Sequence, residues 1–442
     1  MSDDAVRRAI ARLLDGEVEN LERLSGGASR ETWSFDMRHP DRSMELLILQ
    51  RVASAEIPSL DMAVQARLMV AAREAGVPVP RVVAEAGTST GTPLVITERV
   101  AGETIARRIL RDDAYTRARE HLVSQCARAL AALHGIDVGR VQGLDEPDQL
   151  TTWRNALDAS GEPHPAFEIA LRWLESHRPA QRRRTIVHGD FRLGNLIVDA
   201  HGLAALLDWE LAHLGDPLED LGWLCVKAWR FGGAQPVAGI GGYDELVSAY
   251  EEASGTTVDR DALRWWETLG TLKWGVICIM QAARHLSGAV RSVELASIGR
   301  RVCENEWDVL DCLDMPSTAT GGDGAAESED DAGLHGHPTM RELLDAVHGF
   351  LSDDVVATGG RLGFHARVAA NAVAIVGREL RLRDAQESAH RTALSRLGVG
   401  SEAELAAAIR AGDFDERMPE LVASVRETVR ARLAVANPKH VR

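Results

Sequence analysis

The chain has 442 residues, of which 45% are hydrophobic, and a formal net charge of −16. This length exceeds a single ordinary hydrophobic core, so two or three domains are expected. The acidic balance argues against nucleic acid and membrane surfaces as partners, because both require clustered lysines and arginines.

The cysteine pattern and the first residues predict a cytoplasmic protein. Five scattered cysteines form no Cys-x-x-Cys pair, which is typical of reduced thiols rather than of disulfides or zinc sites. The first residues contain no apolar signal region. Lys273 interrupts the longest apolar stretch, which is too short to span a membrane.

Residues 1–101 alternate strand patterns with helical patterns. Helices are predicted at residues 5–14 and 62–75, and strands at residues 21–24, 32–37, 44–50, 82–86 and 94–97. Five small residues separate the first two strands: Ser25, Gly26, Gly27, Ala28 and Ser29. Small residues let backbone N–H groups approach anionic oxygens, so this loop is predicted to bind phosphates, although many hairpins carry Gly-Gly. The next residue, Arg30, either contributes to this site or is simply solvated.

After Gly102 the pattern is mainly helical as far as residue 315. Helices are predicted at residues 117–133, 167–175, 220–229, 243–254 and 261–286. A β-hairpin interrupts them, with strands at 196–198 and 204–207 and a turn between. Asp216 precedes a proline and Asp220 begins a helix, so both are predicted to be structural, with the Asp220 carboxylate capping free N–H groups.

The hairpin brings together side chains that suit a hard cation. Asn195 opens its first strand and Asp208 closes its second, so antiparallel pairing places their oxygens at one end of the ribbon. Amide and carboxylate oxygens suit Mg²⁺, which completes its shell with water and phosphate. Asp190 lies just upstream, where it can accept a proton from a substrate hydroxyl.

The motif His188-Gly189-Asp190, with Asn195 five residues after the Asp, resembles the catalytic loop of the aminoglycoside phosphotransferase and choline kinase family. The phrase Asp208-Trp209-Glu210 followed by Gly-Asp-Pro resembles a branch that includes kinase domains fused to acyl-CoA dehydrogenases. The resemblance covers roughly residues 20–310. It implies an α+β, bilobal protein-kinase-like fold, with a β-rich N-lobe at 1–101 and a mainly helical C-lobe at 102–315. It also implies ATP and Mg²⁺ as cofactors.

The resemblance implies a role for each residue of the loop and hairpin. Asp190 would orient the hydroxyl and take its proton, and Arg192 would offset charge on the moving phosphoryl group. Asn195 and Asp208 would hold Mg²⁺. His188 is expected to pack and to hydrogen-bond the loop. For Arg192, the alternative of an exposed salt-bridge residue stays open.

The nucleotide side matches the family in part. Residues 94–102 resemble the last N-lobe strand and the hinge, so backbone groups near Glu98 and Val100 would hydrogen-bond adenine. The chain contains no Gly-x-x-x-x-Gly-Lys-Ser/Thr loop, no Gly-x-Gly-x-x-Gly after a strand, no His-Glu-x-x-His and no Gly-x-Ser-x-Gly. Other nucleotide folds, zinc proteases and α/β-hydrolases therefore lose support.

The third strand departs from the family pattern. The family places a lysine or arginine there, paired with a glutamate on the next helix, but Gln50 and Gln65 occupy these positions. A hydrogen bond between the two amides would keep the helix docked, while the lost cation would slow the reaction about tenfold to a hundredfold. An alignment shifted by one residue would instead restore Arg51, although strand alternation points Arg51 to the other face.

The C-terminal part changes composition. Residues 316–337 are rich in Ser, Thr, Gly and acidic residues and predict a flexible linker. Residues 338–442 predict an all-α domain, with capping boxes at Thr339 and Ser401 and helices at residues 343–350, 364–380, 385–397, 405–409 and 421–435. This part resembles a small helical domain of unknown function that follows some bacterial phosphotransferases.

The predicted function is ATP- and Mg²⁺-dependent phosphorylation of a hydroxyl on a small molecule, and the resemblance makes a hydroxyacyl-CoA a candidate acceptor. The alternative is a nucleotide-binding pseudokinase or scaffold whose helical tail binds a partner. The Gln50 and Gln65 replacements favour this alternative, and the intact Asp190, Asn195 and Asp208 oppose it. Whether the C-terminal helices form a homo-oligomer or bind another protein stays open. Several tryptophans lie where an acceptor pocket is expected, but tryptophans at helical spacing more often form core: Trp153, Trp223, Trp229, Trp265, Trp266 and Trp274.

Overall fold

The computed structural model describes residues 3–24, 30–52, 60–86, 93–180, 183–290, 292–313 and 339–440. The predicted phosphate loop, residues 25–29, and the predicted linker, residues 316–337, lie outside the described residues. Packing divides the chain into two compact units: Met1–Pro147 with Pro179–Glu267, and Asp148–Arg178 with Thr268–Arg442. The boundaries at residues 101, 315 and 337 stay predictions, because a packing unit and a sequence domain need not coincide.

The first unit begins with a five-stranded antiparallel sheet of order β1-β2-β3-β5-β4. Its elements are α1 (Asp3–Ala11), β1 (Glu17–Leu24), β2 (Arg30–Arg38), β3 (Met44–Val52), α2 (Met62–Glu74), β4 (Val82–Ala86) and β5 (Leu94–Glu98). Alternation along the strands gives the sheet two different faces. One face packs Phe35, Leu49 and Ile96 against α1, and the other packs Val95 against α2.

The rest of the first unit is mainly helical and contains the predicted hairpin. Its elements are α3 (Ala106–Arg111), α4 (Thr116–His134), β6 (Thr185–Val187), β7 (Leu196–Asp199), β8 (Gly202–Leu206), β9 (His213–Gly215), α7 (Leu218–Cys225), α8 (Tyr243–Ser254) and the start of α9 (Arg260–Leu286). A continuous apolar core runs through α4, the hairpin, α7 and α8. This core holds the hairpin and the loop before it in a rigid frame.

The second unit is all-α. It contains α5 (Gln149–Ser160), α6 (Pro165–Ser176), the rest of α9, α10 (Val293–Gly299), α11 (Val302–Cys312), α12 (Met340–Gly349), α13 (Gly360–Leu397), α14 (Glu402–Ala411) and α15 (Met418–Ala436). Charged pairs tie α6 to the C-terminal helices, since Arg410 donates to Glu168 at 2.6 Å. Within this unit, the buried Glu306 accepts from Arg432 at 3.0 Å. Burial would raise the pKa of Glu306, but Arg432 and His164 outweigh it and hold the pKa below its ordinary value.

Three predicted helices are wrong in their bounds. The separate helices at 364–380 and 385–397 form one helix, α13, because residues 381–384 contain no helix breaker and Arg383 bridges back to Glu379 at 2.9 Å. The helix predicted at 220–229 ends at Cys225, where Val226 adopts an extended ψ of 130°. No helix in the described ranges is long and apolar enough to cross a membrane.

Candidate active site

The predicted antiparallel hairpin is present, with a register irregularity between Ile197 and Val198. Strands β7 and β8 pair antiparallel with Leu196 opposite Leu206, and the Leu207 N–H donates to the Asn195 carbonyl at 2.8 Å. Asn195 therefore ends the loop at the same edge of the ribbon where Asp208 leaves β8. This pairing places the two predicted metal ligands on adjacent chain segments.

The carboxylate of Asp190 is held by three donors. Its Oδ1 accepts from Trp223 Nε1 at 2.8 Å and from Arg192 Nε at 3.0 Å. Its Oδ2 accepts from Asn195 Nδ2 at 2.6 Å. The side chain keeps 13% of its surface exposed, so the carboxylate is fixed in orientation yet open to a ligand.

The loop around Asp190 is anchored from below by Asp220. The fully buried Asp220 carboxylate accepts the His188 N–H at 2.8 Å and the Gly189 N–H at 2.9 Å, and contacts His134 Nε2 at 3.1 Å. Burial would raise the pKa of Asp220, but His134 and the loop N–H groups outweigh it and hold the pKa below its ordinary value. The expectation that Asp220 caps its own helix is wrong, because its side chain is buried in the core and binds the His188-Gly189 backbone. Asp216 does accept the Leu218 N–H at 2.9 Å.

Gly189 is required by the backbone of the loop. Its φ is +78°, and a Cβ at this position would lie 2.5 Å from the Leu211 carbonyl oxygen. An L side chain is strained in this conformation and has no space there. Glycine between His188 and Asp190 therefore lets the loop pass close to the turn after β8.

His188 links the loop to the end of β8. Its ring is buried, its Nε2 lies 3.0 Å from the Leu207 carbonyl oxygen, and its Nδ1 accepts the Asp190 N–H at 3.2 Å. Burial lowers the pKa of His188, although the charges of Asp220 and Asp190 oppose the shift. A neutral ring protonated on Nε2 satisfies both contacts, which agrees with the predicted packing role.

The carboxylate of Asp208 differs from that of Asp190 in its surroundings. No donor among the described residues hydrogen-bonds it, and its backbone adopts the left-handed region with φ 65°. Burial, together with the negative charges of Glu210 and Asp190, raises the pKa of Asp208 to about 6, and the charges of Arg30 and Arg192 oppose this rise. A carboxylate placed among other carboxylates without donors is stabilised by a bound cation.

The donor set fits Mg²⁺. The Asn195 Nδ2 is used by Asp190, which leaves Oδ1 without a hydrogen-bond partner in the described part of the chain. Asn195 Oδ1 and the Asp208 carboxylate supply two oxygen ligands of the type Mg²⁺ prefers. No group of three or more His, Cys, Asp or Glu side chains among the described residues could hold a metal by itself. Water and substrate phosphates would therefore complete the shell.

Arg192 is part of an organised cluster. Besides its bond to Asp190, its guanidinium lies 4.7 Å from the Trp229 ring centroid, and Trp229 packs against Trp223 at 5.2 Å. These contacts argue against the reading of Arg192 as a simple surface salt-bridge residue. The hydrogen bond from Trp223 to Asp190 was not foreseen. One signal was available: Trp223 follows Asp220 by one helical turn, so both lie on the same face of α7.

On the nucleotide side, Gln50 and Arg51 lie on opposite faces of β3. Gln50 pairs with Val95 on the face toward α2, whereas Arg51 is buried and donates its Nε to Glu31 at 2.7 Å. The register therefore does not bring Arg51 to the position of the missing cation. Gln65 donates to the Leu60 carbonyl, and no hydrogen bond joins Gln50 and Gln65.

The hinge follows β5. The Glu98 N–H donates to the Arg81 carbonyl at 3.0 Å, and the Glu98 carboxylate accepts the Arg81 N–H at 2.8 Å. These bonds fix the end of the strand before Val100. Adenine binding by backbone groups near Glu98 and Val100 stays a prediction, and so does phosphate binding by residues 25–29.

Known proteins resemble this chain in two segments. Residues 20–266 match the sequence profile of the phosphotransferase enzyme family, and residues 356–440 match a domain family of unknown function, DUF6285. Acyl-CoA dehydrogenase family member 10 of Mus musculus is 32% identical over 240 residues, which cover 50% of this chain and 22% of the mouse protein. Acyl-CoA dehydrogenase family member 11 of Gallus gallus is 28% identical over 258 residues, covering 51% and 32% of the two chains. This chain thus corresponds to less than a third of the length of these relatives.

Two solved structures share the fold. One is a putative aminoglycoside phosphotransferase from Ralstonia eutropha, with a TM-score of 0.56 and 20% identity, covering 70% of this chain and 98% of the other. The second is a choline/ethanolamine kinase family protein from Mesorhizobium loti, with a TM-score of 0.51 and 19% identity, covering 72% and 96%. These likenesses confirm the predicted α+β kinase-like fold. The profile matches confirm the predicted resemblances to the phosphotransferase family and to a helical domain of unknown function.

Proposed function

Because the chain belongs to the phosphotransferase enzyme family, we propose that it transfers the γ-phosphoryl group of ATP to a hydroxyl of a small molecule. One observation carries this proposal. The Asp190 carboxylate, fixed by three donors, is bonded to the side-chain amide of Asn195, and the Asn195 backbone is bonded to Leu207, the residue before Asp208. A base next to two free oxygen ligands is the arrangement that phosphoryl transfer to an alcohol requires.

Asp190 orients the acceptor hydroxyl and takes its proton as the oxygen attacks phosphorus. The bonds from Trp223 and Arg192 hold Oδ1, so the hydroxyl approaches the exposed edge of the carboxylate. Positioned acid–base groups of this kind contribute about 10²–10⁴ in rate.

Arg192 and the metal ligands act on the phosphates. Arg192, stacked on Trp229, presents its guanidinium nitrogens beside Asp190, where they offset charge on the transferred group. Asn195 and Asp208 would hold Mg²⁺, which would supply positive charge to neutralise the phosphate oxygens.

For the acceptor, we propose a hydroxyacyl-CoA. The relatives named above carry the words acyl-CoA dehydrogenase in their names. A cleft of about 530 Å³ is lined by Phe231, Arg111 and Arg119 together with small residues of the segment 232–240. The Phe231 ring also lies beside Gly194 of the catalytic loop. An aromatic wall with two arginines suits an acyl chain that carries a phosphorylated carrier.

The second candidate is a scaffold that binds nucleotide without turnover. Gln50 and Gln65 favour it, because the cation and its partner are both replaced. The three donors on Asp190 oppose it, since a binding protein does not need an oriented base.

The two candidates are separated by measuring ADP release with a panel of hydroxyacyl-CoAs, choline and aminoglycosides. We expect turnover with a hydroxyacyl-CoA that Asp190→Ala lowers about 10²–10⁴-fold. Asp113→Asn, an exposed residue outside the site, serves as the control with wild-type turnover. ATP binding without Asp190-dependent turnover of any acceptor would establish the scaffold. Turnover of choline or an aminoglycoside alone would retain the kinase and reject the acyl-CoA acceptor.

A further inference from the structure

The nucleotide side contains a buried arginine that the family pattern does not assign. Arg30 opens β2, directly after the predicted phosphate loop, and it pairs with Val52 of β3. Two residues further along, Thr32 pairs with Gln50. Residues two apart on a strand, and residues opposite each other on paired strands, share a face. Arg30 therefore lies on the same face as Gln50, on the neighbouring strand.

The guanidinium of Arg30 is buried without being fully satisfied. Its side chain is 7% exposed, and Nη2 lies 3.3 Å from Glu210 Oε2. Neither Nε nor Nη2 has a hydrogen-bond partner among the described residues. Buried guanidinium groups ordinarily have their N–H donors paired. These donors thus indicate an acceptor that binds there, such as a phosphate oxygen.

The position of Arg30 is set by the turn that carries the metal ligand. Glu210 follows Asp208 by two residues, and its backbone carbonyl accepts the Leu60 N–H at 3.2 Å, which connects the turn to the start of α2. Arg30 is therefore adjacent to the place where the metal and the phosphates would lie.

Two other arginines near the site are committed elsewhere. Arg51 is buried on the opposite face of the sheet with Glu31, and Arg192 is bonded to Asp190. Arg51 would have to cross the sheet to replace the β3 cation, and Arg192 already has a separate role beside Asp190 in the proposed function.

We propose that Arg30 supplies the phosphate-binding positive charge that Gln50 cannot, so that this cation has moved from the third strand to the start of the second. Glu210 holds the guanidinium in place, and the donors without partners bind the β- or γ-phosphate oxygens of ATP. This inference rests on the proposed function for its ligand, and it explains why an active site can keep its base and metal ligands while Gln50 and Gln65 replace the usual ion pair.

The test is equilibrium binding of MgATP and of adenosine, measured by calorimetry on the full chain. Arg30→Gln is expected to weaken MgATP binding about tenfold to a hundredfold, since a charge-assisted hydrogen bond is lost. Adenosine, which has no phosphates, should bind Arg30→Gln as it binds the wild type. Arg38→Gln, at the exposed far end of the same strand, is the matched control and should leave both affinities unchanged.

A second pair of variants restores or balances the charge. Gln50→Lys in the Arg30→Gln background should recover most of the lost MgATP affinity, because it returns the cation to the same face. Arg30→Gln with Glu210→Gln removes both charges of the pair, so any loss of stability caused by the excess negative charge in the single variant is avoided. This double variant should show the same loss for MgATP with no loss for adenosine.

The outcomes separate this inference from the proposed function. Equal MgATP affinity in Arg30→Gln and wild type, or an equal loss for MgATP and adenosine, would overturn the role of Arg30 while leaving turnover by Asp190 intact. Arg30-dependent MgATP binding in a protein without turnover would retain the role of Arg30 and reject the kinase. No binding of MgATP by the wild type would overturn both.

Discussion

The catalytic loop, residues 188–195, and the turn after β8, residues 208–210, both carry carboxylates, but their surroundings are opposite. In the loop, the Asp190 carboxylate accepts from three side-chain donors, and Asp220 accepts two backbone N–H groups of the loop. In the turn, Asp208 has a left-handed backbone and no donor among the described residues. Under the proposed function, the carboxylate that is held by donors is oriented in advance as the base, and the carboxylate without donors is the one that a cation would stabilise.

Removing the anchor of the loop should have the largest effect on stability. In Asp220→Asn, the buried His134 and the N–H groups of the loop lose their ionised partner. We expect the free energy of unfolding to fall by about 3–5 kcal/mol, the range for breaking a buried pair. Urea denaturation measures this change. Asp216→Asn, which keeps a side-chain oxygen for the Leu218 N–H, should change stability by about 0.5 kcal/mol or less.

The pH dependence of this effect has a defined sign. The pKa of Asp220 is lower in the folded chain than its ordinary value, so its contribution is present at neutral pH and is lost as pH falls through the acid range. The difference between wild type and Asp220→Asn should therefore shrink on acidification below about pH 4. A difference that stays constant down to acid pH would contradict the ionised anchor.

The contribution of Asp208 to stability should depend on pH in the opposite direction. The pKa of Asp208 is raised to about 6 by burial, Glu210 and Asp190. A raised pKa means that the stabilising contribution is present below the unfolded pKa near 4 and is lost as pH rises through about 6. In metal-free protein above pH 6, Asp208→Asn should be more stable than the wild type, on the order of 2 kcal/mol.

The extra stability of Asp208→Asn over the wild type should disappear when the pH falls below about 4. It should also disappear when Mg²⁺ with nucleotide is added to the wild type. Thermal unfolding across pH 4–8, with and without MgATP, checks both statements. Glu17→Gln, on the exposed edge strand β1, is the control for loss of one negative charge. A wild type that stays the more stable protein at pH 8 without metal would show that Asp208 is already compensated.

The smallest effect concerns the orientation of the base. Trp223→Phe keeps the aromatic contact with Trp229 but removes the hydrogen bond to Asp190 Oδ1. We expect kcat to fall about threefold to tenfold, with little change in KM for ATP, because one neutral donor of about 0.5–1.5 kcal/mol is lost. Steady-state kinetics measures this split. Trp153→Phe, whose indole N–H bonds Gln149 within the second unit, should leave kcat unchanged.

The sequence by itself determined the features that depend on local spacing. Strand alternation separates Gln50 from Arg51, and the symmetric positions of Asn195 and Asp208 about a turn follow from antiparallel pairing. The family resemblance also followed from a short contiguous motif. These features need only neighbouring residues, so a pattern in the chain is enough to predict them.

The distant residues that complete the site are brought to it by long-range packing. Asp220 and Trp223 reach the loop from 31 to 33 residues away along the chain, and Arg30 meets Glu210 from the other end of the same unit. A helix-capping carboxylate and a loop anchor look the same in a sequence, because the difference is the direction of the side chain relative to the core. That direction is set by packing among α4, α7 and the hairpin, and no local pattern records it.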